Sequence, residues 1–276
     1  MSTLLGVAHG SRDPGSQDVV RGLLAAAAAQ RPGLRTEAAY VDNAGPSIRV
    51  ALRQLVETGA RDITVVPLLL GAASHSKTDV AGSVQAGRLD HPGVVLRYGR
   101  PLGPHPVVVD VLARRLAEAG VTDEPVVLVA GGSLDPDANA GVAATARLLW
   151  EGRAFPSVDI AFVSTTGPTV LQALERLRAG GARRVALSRY FLGPGFLPRL
   201  AEQQAAEVDG LEIVVSEPLG VSAGLAGLLL GRYDEARAGD IRMNCDACLY
   251  RTPYAGLEGA VGAPQGPHVH PDDPVG

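Results

Sequence analysis

The 276-residue chain contains two cysteines, one tryptophan and one lysine, and no apolar run near the length of a membrane span. A spanning helix needs about 20 apolar residues, so no membrane partner is expected. Two cysteines three residues apart cannot form a disulfide scaffold, which points to a reducing compartment, the cytoplasm. The opening MSTLLGVAHG has no basic segment leading into an apolar one, so no secretory leader is expected. Aromatics make up 4% of a chain that is 46% hydrophobic, so the core must be aliphatic. A net charge of −4 gives no general reason to bind nucleic acid. There is no G-x-x-x-x-G-K-[ST] loop, which argues against ATP-driven chemistry. Ser11 and Ser133 lie in AHGSR and GGSLD, neither of which is a G-x-S-x-G nucleophile elbow.

What the chain does have is an internal repeat. VAHGSRDP (7–14) returns as VAGGSLDP (129–136), changed only where His9 becomes Gly131 and Arg12 becomes Leu134. The same offset of 122 aligns residues 45–71 with 167–193 without a gap, with 10 of 27 positions identical. RPLG (100–103) is echoed by EPLG (217–220) after a short deletion.

Each half alternates short Val/Ile/Leu-rich runs with longer amphipathic ones. The first predicts strands at 3–8, 36–41, 62–68 and 94–98, with helices at 14–30, 45–58, 76–89 and 105–119. The second predicts strands at 125–130, 158–163, 183–188 and 211–215, with helices between them. Gly59 should close the helix before it, and Ser11 or Asp13 should cap the helix after strand one. The expected fold is α/β: two homologous lobes, each a parallel sheet flanked by helices, facing a central cleft. The expected division is residues 1–120, 121–236, and a Cys/His-containing tail, 237–276, whose Gly/Pro-rich end, 258–276, should be mobile.

Six histidines occur, at 9, 75, 91, 105, 268 and 270. His9 and His75 each fall just beyond a strand's carboxyl end, where ligands of parallel sheets bind. Their repeat partners are Gly131 and Leu197. Asp42, beyond strand two, becomes Ser164. Loss of all three from the second half favours a single site kept in the first. Neutral imidazoles bind divalent first-row metals and accept protons near neutral pH, and a carboxylate can orient an imidazole or share the metal. His91 and His105 read as surface loop residues beside prolines.

Together, HGSRDP, YVDNAGPSI, PLLLGAASHSKTDV, RPLGPHP and the duplication resemble the class II tetrapyrrole chelatases, in the long form of sirohydrochlorin chelatase. The resemblance covers nearly the whole chain. It implies ATP-independent insertion of Fe2+, or alternatively Co2+, into sirohydrochlorin, for sirohaem or cobalamin synthesis. It implies that His9 and His75 deliver the metal and accept the displaced protons, with Asp42 assisting where the family usually has Glu. Sirohydrochlorin is a polycarboxylate. Candidates to hold its carboxylates are Arg12, the sole lysine Lys77, the turns at Gly10–Ser11 and Ser74–Ser76, and Ser133 from the second half. A non-catalytic two-lobed carrier of metal or tetrapyrrole is the alternative; protoporphyrin ferrochelatase is a third reading, disfavoured by the short chain.

The segment RMNCDACLYR places Cys245 and Cys248 in a Met-x-Cys-x-x-Cys string. Two thiolates supply half of an iron–sulfur cluster, so a cluster needs His268 and His270, or a second chain that it bridges into a homodimer. Zinc held by the same four residues, a redox dithiol, and no stable metal at all are the rivals.

Overall fold

The structure is a computed structural model that describes residues 2–243, 248–264, 266 and 270–273. Its elements run in order β1 (Ser2–Ala8), α1 (Pro14–Gln30), β2 (Arg35–Tyr40), α2 (Ile48–Glu57), β3 (Asp62–Pro67), a π-helical turn (His75–Val80), α3 (Ala81–Asp90), β4 (Val95–Tyr98) and α4 (Pro106–Glu118). The second half follows with β5 (Val126–Ala130), α5 (Pro136–Trp150), β6 (Val158–Phe162), α6 (Val170–Ala179), β7 (Arg184–Arg189), α7 (Phe196–Ala206), β8 (Glu212–Val215) and α8 (Ala223–Ala238). Every expected strand is present within a residue or two. Asp13 accepts the Gly15 N–H as the cap of α1, and Gly59 adopts φ +90° just past α2. The helix expected over 45–58 starts only at Ile48, because Ser47 is its cap and accepts the Val50 N–H.

Two compact units result, each with a four-stranded, all-parallel sheet. The first orders its strands β2-β1-β3-β4 and the second β6-β5-β7-β8. In the first, Leu5, Val7, Ile63 and Val65 pack against Leu52 and Leu55 of α2 and Val84 of α3. In the second, Val127, Val129, Val185 and Leu187 pack against Leu174 of α6 and Ala201 of α7. The repeat extends to unusual backbone: Gly45–Pro46 and Gly167–Pro168 are both cis, and Asn43 and Thr165 both have positive φ.

The expected boundaries at 120 and 236 do not match the packing. The first unit comprises residues 1–102 and 221–276, and the second 103–220. Helix α4 packs on α5 and β7 of the second unit, while α8 packs on α1, β3 and β4 of the first. Side-chain clamps hold each exchanged helix. Arg115 of α4 donates to the Leu219 carbonyl. From the α8 side, Asp234 pairs with Arg31 and Glu235 with Arg100. His91 sits at the C-cap of α3, and His105 caps α4, its Nδ1 accepting the Val107 N–H. His105 is thus a structural cap rather than a plain loop residue.

The tail is not uniformly loose as expected. His270 is 6% exposed. Its Nε2 lies 2.9 Å from the Ala44 carbonyl and its Nδ1 accepts the Asp272 N–H, while Ser47 Oγ donates to Asp273. No helix among the described residues is long and apolar enough to cross a membrane.

Candidate active site

The order β2-β1-β3-β4 reverses direction between β1 and β3, and the crevice outside those carboxyl ends is where ligands of such sheets bind. His9 directly follows β1. Its carbonyl accepts the Asp42 N–H at 2.8 Å, which ties the β1 and β2 loops together. Gly10 makes this approach feasible: its φ is +98°, and a Cβ there would fall 1.6 Å from the Asp42 carbonyl oxygen.

His75 opens the π-helical turn beyond β3. Single π turns inside helices commonly mark functional sites, and this one replaces the start of the regular helix expected over 76–89. Its shape is held by Thr78 Oγ1 on the Ser74 carbonyl, Ser76 Oγ on the Ala73 carbonyl, and Tyr98 OH on the Ser76 carbonyl.

These two turns bring the imidazoles together. His9 Nε2 lies 3.1 Å from His75 Nε2, with ring centroids 4.5 Å apart and planes at 88°. His75 Nδ1 is 2.6 Å from Asp79 Oδ2, and His9 Nδ1 is 3.3 Å from the Gly10 carbonyl. With Nδ1–H donating on both rings, the two Nε2 lone pairs lie side by side 3.1 Å apart, an arrangement that a shared cation stabilises. At an M–N distance of about 2.05 Å, the 3.1 Å separation subtends about 98° at an ion, near the angles of tetrahedral and octahedral centres. Among the described residues, no group of three or more His, Cys, Asp or Glu side chains forms a metal cluster.

His9 is less basic than an ordinary imidazole. The surrounding atoms strip its hydration although its surface remains open, and His75 opposes a second positive charge; the Gly10 carbonyl, Asp42 and Asp79 counter weakly. Its neutral, lone-pair-bearing form is therefore favoured at pH 7.

The carboxylate on an imidazole is that of Asp79. Asp42 accepts through both oxygens from Asn43, the backbone N–H at 2.8 Å and Nδ2 at 2.9 Å, and reaches His9 through its charge. Asp79 is not among the residues singled out from the sequence. Its signal was H-x-x-x-D, a pair four residues apart and hence on one helical face.

Of the residues expected to hold substrate carboxylates, Arg12 is exposed beside His9 and Lys77 is half-buried in the π turn. One expectation is corrected. Ser76 is buried, and its N–H, like that of Lys77, already donates to the Ala73 carbonyl, so neither of these two amides is free for a substrate carboxylate. Ser11 Oγ and Ser133 Oγ accept from the N–H groups of Asp13 and Asp135 ahead of α1 and α5, which leaves each hydroxyl proton to donate. Ser74 contributes its carbonyl to Thr78.

At the equivalent point of the second unit, the chemistry is absent. A Cβ on Gly131 would meet Leu197 Cδ1 at 3.2 Å, so an aliphatic contact occupies the position of the imidazole pair. In the tail, Cys248 is a half-buried free thiol, while Cys245 and His268 lie outside the described residues. Both ring nitrogens of His270 are engaged, Nε2 at the Ala44 carbonyl and Nδ1 by the Asp272 N–H.

A doubly wound α/β protein with two repeated units, and a two-imidazole metal-type site in one of them, defines the class. Within it, the chain belongs to the CbiX family, whose model matches residues 3–119 and 125–236. It is 30% identical over 262 residues to a sirohydrochlorin cobaltochelatase of Priestia megaterium, covering 91% of this chain and 85% of that one. It is 28% identical over 239 residues to a sirohydrochlorin ferrochelatase of Bacillus subtilis, covering 85% of this chain and 92% of that one. Among solved structures, SirB from Bacillus subtilis with Fe3+ superposes with a TM-score of 0.72 at 27% identity, covering 87% of this chain and 96% of that one.

Proposed function

We propose that this protein inserts a divalent metal, Fe2+ or Co2+, into sirohydrochlorin without ATP. The observation that carries the reading is the 3.1 Å approach of His9 Nε2 to His75 Nε2. Two neutral imidazoles hold the incoming ion and leave its remaining positions to water and to the pyrrolic nitrogens. As the four macrocycle nitrogens take over the metal, two pyrrolic N–H bonds break, two protons leave, and the imidazoles are released from the ion. Each released Nε2 lone pair is then free to take one of the two protons, so ligand and base duties fall on the same atoms in succession. Low basicity at His9 keeps that atom a ligand at the start. Asp42, beside the pair, favours the transient positive charge. Arg12 and Lys77 are the cations nearest in sequence to the two histidines and serve the substrate carboxylates.

The family relationship supports this reading, since the relatives named above carry cobalt- and ferrochelatase names. Our reading also assigns Cys245 and Cys248 to half of an iron–sulfur cluster in a reducing cytoplasm. Because His270 is committed to Ala44 and Asp272, the remaining ligands come from a second chain, giving a cluster-bridged homodimer.

The test is absorbance-monitored insertion of Fe2+ and Co2+ into sirohydrochlorin without ATP. Wild type should convert the tetrapyrrole. His9→Ala and His75→Ala should bind it with similar affinity yet lose insertion. A wild type that binds metal or tetrapyrrole without turnover would instead establish a carrier.

A further inference from the structure

We propose that Asp79 is a positioning residue for the metal site: it holds the His75 ring by Nδ1–H so that the Nε2 lone pair is aimed at the ion shared with His9. This rests on the function proposed above and names a residue that neither the sequence reading nor the family match assigned.

Asp79 Oδ2 is 2.6 Å from His75 Nδ1, four residues back along the π turn. The carboxylate is 15% exposed against 39% for the imidazole. A carboxylate withdrawn this far from water needs a partner, and among the described residues its hydrogen-bond partner is that imidazole alone. The element that presents it is built for the purpose. Helix α3 is regular, yet the residues ahead of it are wound as a π turn, and Tyr98, Thr78 and Ser76 each hold a carbonyl at or just before this turn. Tyr98 reaches it from β4, so the sheet itself fixes where His75 and Asp79 sit.

The consequence is tautomeric. A free neutral imidazole distributes its proton between its two nitrogens. With an acceptor-only carboxylate on Nδ1, the proton stays there and Nε2 remains a ligand. The same contact raises the donor strength of the ring, and loss of such outer partners typically weakens metal affinity by about 10–100-fold. His9 has only a carbonyl at 3.3 Å on its Nδ1, so the two histidines are held unequally. Asp79 therefore makes His75 the fixed ligand of the pair and leaves His9 the looser one, which suits a site that must release its ion.

Two measurements test this. Nitrogen NMR of 15N-histidine-labelled wild-type protein reads the tautomer of His75 without any variant. The Nδ1–H form is expected, and an Nε2–H ring would overturn the proposal. Second, Co2+ titration read by paramagnetic broadening of the His9 and His75 ring signals compares wild type, Asp79→Asn and Asp79→Glu. Asn can turn its amide N–H toward Nδ1 and move the ring proton to Nε2, so Co2+ affinity should fall about 10–100-fold, with kcat falling and the sirohydrochlorin KM within about twofold. Glu keeps the acceptor and should recover part of the loss. Co2+ affinity of Asp79→Asn within twofold of wild type would also overturn the proposal. Should Asp79→Asn fail to fold, the wild-type tautomer and Asp79→Glu still decide. If wild type binds Co2+ at these rings yet never inserts it, the proposed function fails while the positioning role stands or falls on the NMR.

Discussion

Glu235 provides a test of the helix exchange that completes the first unit. It lies on α8 and receives Arg100 through Nε at 2.8 Å and Nη2 at 2.9 Å, and Arg232 through Nη1 at 2.9 and 3.1 Å. Arg232 is 2% exposed and donates its other N–H groups to the Pro101 and Leu102 carbonyls. The Arg100 hydrogen bonds, opposed by burial and helped by Arg232, pull the Glu235 carboxyl down to about 2 from 4.5. A carboxylate depressed in the folded state stabilises above its unfolded value, and that stability is lost as pH falls from about 4.5 through about 2. The shift corresponds to about 3 kcal/mol at neutral pH, an upper figure because the side chain is 29% exposed. Glu235→Gln leaves Arg232 buried without its counter-charge, for which a loss of about 3–5 kcal/mol is typical. Urea unfolding by circular dichroism, with hydrogen exchange at β3 and β4 to isolate the first unit, should show about 3 kcal/mol lost at pH 7. The gap to wild type should narrow below pH 4.5. A variant within about 0.5 kcal/mol of wild type at pH 7, or a gap that persists on acidification, refutes the clamp.

The two lobes allow a paired experiment. Gly10→Ala and Gly132→Ala each force a Cβ onto a backbone carbonyl at positive φ, at 1.6 and 2.0 Å, so each should cost more than about 2 kcal/mol by denaturant unfolding. Gly10→Ala should also weaken Co2+ broadening of the His9 ring, while Gly132→Ala should spare it. His9 has a lowered pKa, so the unfolded chain takes its proton first as pH falls below about 6.5 and stability drops on acidification. His9→Ala should flatten that part of the stability–pH curve; an unchanged slope would show that His9 keeps its normal basicity. Metal binding at the pair should be lost over the same acid window, as Nε2 becomes protonated.

Local chemistry made much of this protein legible before any coordinates. Short aliphatic runs alternating with amphipathic ones fixed β and α at nearly every boundary, because strand and helix periods are written in neighbouring residues. The repeat itself isolated His9 and His75, since a duplicated scaffold shows what one copy kept and the other discarded. Asp79 was in plain view four residues after His75, but its role depends on a π turn held by Tyr98, a contact across 22 residues that no local pattern encodes. Nor could sequence say that His270 is pinned to Ala44, or that Ser76 is turned inward, because both depend on partners supplied by other segments.

The clearest division lies in the fourth helix of each half. Both α4 and α8 are rich in buried aliphatic residues, and hydrophobic burial is non-directional, so pattern alone does not assign them to a sheet. Tertiary packing decided, through the charged clamps at Arg115 in one unit and Glu235 in the other. Residue pattern and repeat are enough to say which elements form and which half carries the imidazoles. Only the three-dimensional structure determined which sheet each fourth helix covers, that the two imidazoles meet at 3.1 Å, and which carboxylate holds one of them in place.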